Sequence, residues 1–176
     1  MSELSEPTQA RARAGSDNSP EAAENTARLI ALRLLESQPR TRAELERALA
    51  RRGVPADAAT AVLDRFTEVG LVDDEAFAAA WVNSRHTGRG LGRRALGAEL
   101  RRRGVAEQTV RDAVSVVSTD DEETAARALA ERRLRTMHGL ARDTQLRRLA
   151  GMLARKGFDQ GLAMRVARDA VDGCVG

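Results

Sequence analysis

The sequence predicts an all-α protein built from three tandem three-helix repeats. One phrase occurs three times: two leucines four residues apart, two basic residues, a glycine and an apolar residue, ending at Gly53-Val54, Gly104-Val105 and Gly157-Phe158. These glycines lie 51 and 53 residues apart, a period typical of repeated supersecondary units that cannot bury their apolar faces alone. Of 176 residues, 32 are Ala and 19 are Leu, which are strong helix formers, whereas aromatic residues make up 2%.

The first repeat is predicted over residues 26–72, after a disordered tail over residues 1–25. The tail carries two arginines against five acids and has no apolar periodicity, so it cannot offset the entropy of ordering. Thr41 and Glu44 have the spacing of a capping box, which predicts the start of the second helix. Gly53 then ends that helix, because glycine readily adopts the left-handed conformation found after a helix.

The second and third repeats are predicted over residues 73–118 and 119–176. Thr119 and Glu122 again match a capping box, which places a helix start at the beginning of the third repeat. Each helix–Gly–helix pair resembles a helix-turn-helix unit, and the preceding helix is expected to cover its apolar face. Stacking such units predicts nine helices in an elongated, curved array. The large apolar residues expected in its core are Phe66, Phe77, Trp81 and Phe158.

Residues that carry catalysis or bind metals are sparse. His86 and His138 stand far apart without cysteine partners at metal-binding spacing, and the single cysteine, Cys174, permits no internal disulfide. The glycine-rich stretch 88–92 follows no strand and precedes no Lys-Ser/Thr, so it does not match a nucleotide-binding loop. We therefore expect no enzyme activity, no metal and no cofactor. The absence of a stretch of ~20 apolar residues or of a signal peptide predicts a cytoplasmic protein.

Clustered arginine is the main functional signal. Residues 85–111 hold eight Arg and two Glu, a local charge of +6, and residues 132–156 hold eight cations and one Asp, a local charge of +7. Such clusters attract phosphate backbones or acidic protein faces, and arginine binds either in a bidentate manner. The candidate binding residues are Arg85, Arg89, Arg93, Arg94, Arg101, Arg102, Arg103, Arg132, Arg133, Arg147, Arg148, Arg155 and Lys156.

A local structural role accounts for part of this pattern. Basic residues before a C-terminal glycine complement the helix dipole, an effect of about 0.3–1 kcal/mol each. This role does not explain Arg85, Arg89, Arg93 and Arg94, which lie outside the repeated phrase of two leucines, two basic residues and a glycine. Because the few aromatic residues occupy core-like positions, any contact with nucleic acid is expected through phosphates, with steep salt dependence.

Part of the sequence resembles the RecX family, the bacterial regulators of the RecA recombinase. The residues that carry the resemblance are Gly70–Ala78, Trp81-Val82, Arg85, Gly90, Leu96, Glu99-Leu100 and Arg103-Gly104-Val105, with Thr41–Leu45 in the first repeat. The match covers about residues 26–172. Two departures are mild: Leu71 stands where an aromatic residue is common, and Arg102-Arg103 stands where lysine often precedes the glycine.

The resemblance implies three tandem three-helix repeats that bind RecA, particularly its filament on DNA. Family members mostly inhibit recombinase activities, including ATP hydrolysis and strand exchange, in homologous recombination, DNA repair and the SOS response. Carried onto this chain, the contact surface includes Arg85, Arg89, Arg93, Arg94 and the run 101–103, and no catalytic residue is carried over. We expect a monomer that binds the RecA filament and DNA phosphates.

Two other interpretations remain open at this point. A helix-turn-helix-like protein could bind DNA without a recombinase partner, which would require side chains reaching base edges from a recognition helix. A pure scaffold array would carry its cations only to solvate the surface.

Overall fold

Nine α-helices and no strand make up residues 19–173, the part of the chain that the computed structural model describes. The helices are α1 Pro20–Ser37, α2 Arg42–Ala50, α3 Ala56–Glu68, α4 Asp74–Arg89, α5 Arg93–Arg103, α6 Glu107–Ser115, α7 Thr119–Leu134, α8 Arg142–Arg155 and α9 Gln160–Asp172. The all-α prediction and the count of three helices per repeat are confirmed. Most of the predicted tail, residues 1–18, and Cys174 lie outside the described residues.

The start of α1 corrects the predicted end of the tail. The tail was predicted to extend to residue 25, whereas α1 already begins at Pro20. Proline fits the first helical position because its fixed φ suits the helix and its missing N–H leaves no donor unsatisfied. Ser19 caps this start, since its side-chain oxygen accepts a hydrogen bond from the Ala22 amide at 3.1 Å. The polar, acidic composition of residues 1–25 led to the prediction of a longer tail, although Ser19 and Pro20 are typical of a helix start.

The repeated leucine phrase forms the core of every repeat. Its two leucines are 0% exposed in all three copies, at Leu45, Leu49, Leu96, Leu100, Leu149 and Leu153. The glycine that follows each pair has a positive φ, 75° at Gly53, 87° at Gly104 and 89° at Gly157. The sequence period therefore corresponds to one physical unit, a buried helix that ends in a left-handed turn.

The helices group into two compact units, one with α1–α3 and the other with α4–α9. In the first unit, Ala27 and Ala31 of α1 are buried against a cluster that includes Phe66 of α3. The predicted capping box at Thr41 is present, because the Glu44 amide donates to the Thr41 hydroxyl and the Thr41 amide donates to the Glu44 carboxylate.

The second unit contains two cores, one for each of its repeats. The core of α4–α6 includes Phe77 and Val110, and the core of α7–α9 includes Phe158 and Val166. Phe66 of the first unit, Phe77 and Phe158 are buried as predicted. Each repeat thus buries apolar residues in a core of its own, which corrects the expectation that a single unit could not do so.

A close backbone contact connects the two repeats of this unit. The turn between α8 and α9 abuts the start of α5: the Gly92 amide donates to the Lys156 carbonyl at 2.9 Å, and the Arg94 amide donates to the Gly157 carbonyl at 3.2 Å. A Cβ atom added at Gly157 would lie 2.3 Å from the Ala95 nitrogen. We call the contacts of residues 92–95 with Lys156, Gly157 and Glu122 the α5 joint.

Substituting Gly157 with alanine should destabilise the second unit more than a comparable change elsewhere. The left-handed backbone costs an alanine about 1–2 kcal/mol, and overlap with Ala95 should add roughly 1–3 kcal/mol. Gly139→Ala is the matched control, because Gly139 has φ +80° and nothing within 4 Å of its added Cβ. Urea unfolding of both variants measures the difference. Equal losses of stability would contradict the close approach at the α5 joint.

Candidate functional site

Two of the predicted binding arginines lie against an aromatic ring. The guanidinium carbons of Arg85 and Arg103 lie 4.1 and 3.8 Å from the centroid of the Trp81 ring. Trp81 donates its indole N–H to Glu99 at 2.9 Å, and Glu99 also lies 3.9 Å from Arg85 Nε. Both arginines are half-buried, so cation–π packing between α4 and α5 accounts for their positions.

This cluster also modifies the expectation for Trp81. The sequence places Trp81 in the core, but the structure leaves it half-buried, stacked on Phe77 with ring centroids 5.7 Å apart. The indole N–H needs an acceptor, and Glu99 at the edge of the core supplies one. Trp81 therefore lies at the boundary between the core and the surface arginines.

Arg93 is engaged within the α5 joint. Its amide donates to Glu122 Oε1 at 2.8 Å and its side-chain Nε donates to Glu122 Oε2 at 2.8 Å. Glu122 is 3% exposed. The N-cap residue of α5 is Gly92, which has no side chain to accept a hydrogen bond, so a carboxylate from α7 provides the acceptor. Arg93 is thus a structural residue as well as a predicted binding residue.

The role of Glu122 corrects the second predicted capping box. The box is formed by Ser118 and Asp121 instead of Thr119 and Glu122, with the Asp121 amide donating to the Ser118 hydroxyl at 3.0 Å. The sequence matches the capping-box pattern in both registers. The Glu122 carboxylate, however, is buried and accepts hydrogen bonds from Arg93. The hydrogen bonds from Ser118 lower the pKa of the Asp121 carboxyl.

Two further predicted arginines form exposed ion pairs. Arg101 binds Glu107 of α6 through two hydrogen bonds, at 2.7 and 2.8 Å. This contact lowers the pKa of Glu107 and raises that of Arg101. Arg94 donates to Asp159 at 2.8 Å across the α5 joint. Because these partners are exposed, water and other anions compete for the same guanidinium groups.

Lys156, Arg89 and Arg132 lie around the end of α4. The Lys156 ammonium donates to the Arg89 carbonyl at 3.1 Å, which satisfies a carbonyl group near the end of that helix. The side chains of Arg89 and Arg132 are exposed and line a groove between α4 and α7. Asp121 and His86 line the same groove, so an acidic group accompanies its cations.

The remaining predicted arginines meet on both sides of α8. A groove between α5 and α8 is lined by Arg94, Arg102 and Arg155, together with Glu99, whose carboxylate accepts the Trp81 hydrogen bond. Arg155 also lines a second groove, between α7 and α8. The second groove adds three more cations and no carboxylate, and its lining residues are Arg133, Met137, Arg147, Arg148, Gly151, Met152 and Arg155.

We call the six arginines of these two grooves the Arg155 surface, namely Arg94, Arg102, Arg133, Arg147, Arg148 and Arg155. All except Arg94 lack a carboxylate partner within residues 19–173. They come from both predicted charge clusters, which the sequence separates by twenty residues. Five of its six guanidinium groups are therefore available for bidentate contacts with an external anion, whereas Arg94 is shared with Asp159.

Sequence reasoning missed the apolar part of the second groove. Met137 and Met152 contribute thioethers to a lining that was predicted only as cationic. A usable signal was present on α8, because Arg148, Met152 and Arg155 recur at spacings of four and three residues and therefore share one helix face. Across residues 19–173, no group of three or more His, Cys, Asp or Glu residues could hold a metal ion.

Within the same described range, no helix is both long and apolar enough to cross a membrane.

These features define a class: an all-α protein of tandem three-helix repeats that presents arginine-lined grooves. Models of the RecX first, second and third three-helix domains match residues 27–66, 73–114 and 120–166. The chain belongs to the RecX family. This confirms the resemblance found in the sequence.

Similar proteins support the same assignment. The regulatory protein RecX of Streptomyces coelicolor is 57% identical over 146 residues, covering 83% of this chain and 78% of that protein. The regulatory protein RecX of Thermobifida fusca is 54% identical over 158 residues, covering 90% and 85%. The crystal structure of RecX from Lactobacillus salivarius is 20% identical, with a TM-score of 0.76 over 85% of this chain and 97% of that chain. The last similarity shows a shared fold.

Breaking the Glu122–Arg93 contact should destabilise the second unit. Glu122→Gln removes the charge from hydrogen bonds that contribute roughly 1.5–3 kcal/mol, so the free energy of unfolding should fall by about that amount. Arg93→Met should also lower the free energy of unfolding. The double variant should lose less of this free energy than the sum of the two single losses. The exposed ion pair of Arg94 provides the control, since Arg94→Gln should cost only about 0–1 kcal/mol. Strictly additive losses in urea unfolding would contradict a coupled pair.

The Asp159 carboxyl should titrate below the ordinary aspartate pKa. A hydrogen bond from the Gly161 amide is the main cause of this lowering, and the charge of Arg94 contributes. The resulting stability is complete above the unfolded pKa of about 3.9 and is lost as pH falls through the lowered folded value. Arg94→Gln should raise the Asp159 pKa only in part, because the Gly161 amide remains. Carboxyl NMR titration measures both values, and an ordinary pKa in the unaltered chain would contradict the contact.

Proposed function

We propose that this chain regulates the RecA recombinase, mainly as an inhibitor, by binding the RecA–DNA filament through the Arg155 surface. The observation that carries the proposal is the gathering around α8 of five arginines that have no carboxylate partner among residues 19–173. Membership of a family whose relatives are named regulatory proteins supports a role in control rather than catalysis.

The chemistry of the surface suits a filament that presents DNA phosphates and acidic protein side chains together. Guanidinium groups bind both kinds of anion through paired hydrogen bonds. Because several contacts lie on one unit, binding at one site raises the effective concentration at the next. Occupation of the filament in this way interferes with filament growth, ATP hydrolysis and strand exchange.

The α5 joint supports the proposal by holding α5 against α8, which forms the groove between these two helices. Arg102 belongs to the second repeat, and Arg148 and Arg155 belong to the third. Their separation depends on the contact between the start of α5 and the turn after α8. A joint held by backbone hydrogen bonds and a buried carboxylate presents the arginines in one arrangement, so little ordering is required on binding.

The alternative of a helix-turn-helix-like DNA-binding protein requires free polar side chains on a recognition helix. On α6, Gln108 donates to Asp112, and Arg111 donates back to Gln108. These mutual contacts occupy groups that would otherwise reach base edges. They favour the recombinase filament over sequence-specific DNA as the target.

Replacing Arg102, Arg148 and Arg155 together with glutamine should weaken inhibition of DNA-dependent ATP hydrolysis by RecA. Losing three exposed charge contacts of ~0.5–1 kcal/mol each corresponds to a loss of affinity of roughly tenfold or more. The salt dependence of filament binding should become shallower, because fewer counterions are released. Each exposed substitution should change stability by no more than about 0.5 kcal/mol.

The matched control replaces Arg111, Arg165 and Arg168 with glutamine. These arginines are exposed in the same unit and do not line either groove of the Arg155 surface. The control removes the same charge and should inhibit ATP hydrolysis almost as well as the unaltered chain. Equal weakening by both triple variants would show that net charge, rather than this surface, determines inhibition.

A further inference from the structure

The groove between α7 and α8 combines cations with apolar side chains in a way that bare phosphate does not require. On α8, Arg147, Arg148, Gly151, Met152 and Arg155 follow at helical spacing and form one face. On the opposite side of the groove, α7 contributes Arg133, and the segment after α7 contributes the buried Met137. The result is a trough with a thioether floor and a guanidinium rim.

Methionine is suited to binding apolar groups of varied shape. Its unbranched, polarisable side chain adapts to a partner, and it is frequent at protein-binding surfaces. Met152 is half-buried and therefore keeps part of its side chain open to the groove. A phosphate backbone offers no apolar group to cover that surface, whereas a peptide segment does. The floor thus favours a protein ligand, and the rim favours an acidic one.

Gly151 is a second, independent observation at the same groove. It lies in the interior of α8, where glycine is less favourable than alanine. A Cβ atom added there would meet only the Arg155 guanidinium, at 3.4 Å, an ordinary contact with a flexible side chain. Packing within the chain therefore gives no reason for a glycine, in contrast to Gly157 at the α5 joint. The missing side chain leaves the floor of the groove open to close approach.

We infer that the groove between α7 and α8 takes an acidic segment of the recombinase that carries apolar side chains, rather than DNA. The inference rests on the proposed function, since it assigns this part of the Arg155 surface to the protein component of the filament. Carboxylates of the segment pair with Arg147, Arg148 and Arg155, and its apolar side chains cover Met152 and the backbone at Gly151. The groove between α5 and α8 remains available to phosphate.

Gly151→Ala separates binding from folding. The substitution should raise the midpoint of thermal unfolding, because alanine favours the helix. It should nevertheless weaken binding, because the new methyl group projects into the groove. Gly88→Ala is the matched control, since Gly88 lies in α4, has nothing within 4 Å of its added Cβ and does not line this groove. This control should keep binding unchanged.

The binding measurement uses three labelled probes and fluorescence anisotropy. The first is an acidic peptide with leucines at helical spacing, the second replaces those leucines with serine, and the third is a single-stranded oligonucleotide of equal charge. The leucine peptide should bind the unaltered chain at least about tenfold more tightly than the serine peptide. Gly151→Ala should weaken binding of the leucine peptide by a similar factor and leave oligonucleotide binding unchanged.

The outcomes distinguish this inference from the proposed function. Equal binding of the two peptides, or unchanged peptide binding by Gly151→Ala, would mean that the groove recognises charge alone and would overturn the inference. If the unaltered chain fails to inhibit ATP hydrolysis by RecA filaments, the proposed function is lost. If inhibition is intact in the unaltered chain and equally strong in Gly151→Ala, the proposed function stands and the inference is overturned.

Discussion

Three successive amides at the start of α5, those of Gly92, Arg93 and Arg94, find their acceptors on the third repeat. A helix start leaves such donors unsatisfied, and burying them without partners is costly. Glu122 and the turn at Gly157 supply the acceptors, and the approach is close enough that neither Gly92 nor Gly157 has room for a side chain. The second and third repeats are therefore joined through the backbone, and the groove between α5 and α8 depends on this joint.

Arginine has two distinct uses in this molecule. At Arg85, Arg93 and Arg103 its charge is occupied by an indole ring or a buried carboxylate, where it holds helices together. At Arg102 and Arg155 the same side chain lines a groove and has no carboxylate partner in the described part of the chain. The planar, multiply donating guanidinium suits both uses, which explains how a chain with almost no lysine serves packing and binding together.

The fold followed from local rules, whereas the site required distant contacts. Repeated leucines and a glycine stop define each helix–turn–helix unit within about a dozen residues, so the all-α repeats could be predicted. The availability of an arginine depends on partners far along the chain: the carboxylate that binds Arg93 is 29 residues away, and that of Arg94 is 65 residues away. One local prediction was also wrong, because two neighbouring registers match the capping-box pattern. Thr119 and Glu122 match it, but Ser118 and Asp121 form the box.

The cations that line the two grooves are all guanidinium groups, which stay protonated throughout the range in which cells and most assays operate. Acidity therefore cannot switch off the attraction from this side of the complex. Any response of complex formation to pH near neutrality must arise from groups other than these guanidiniums, including those that ionise on the ligand.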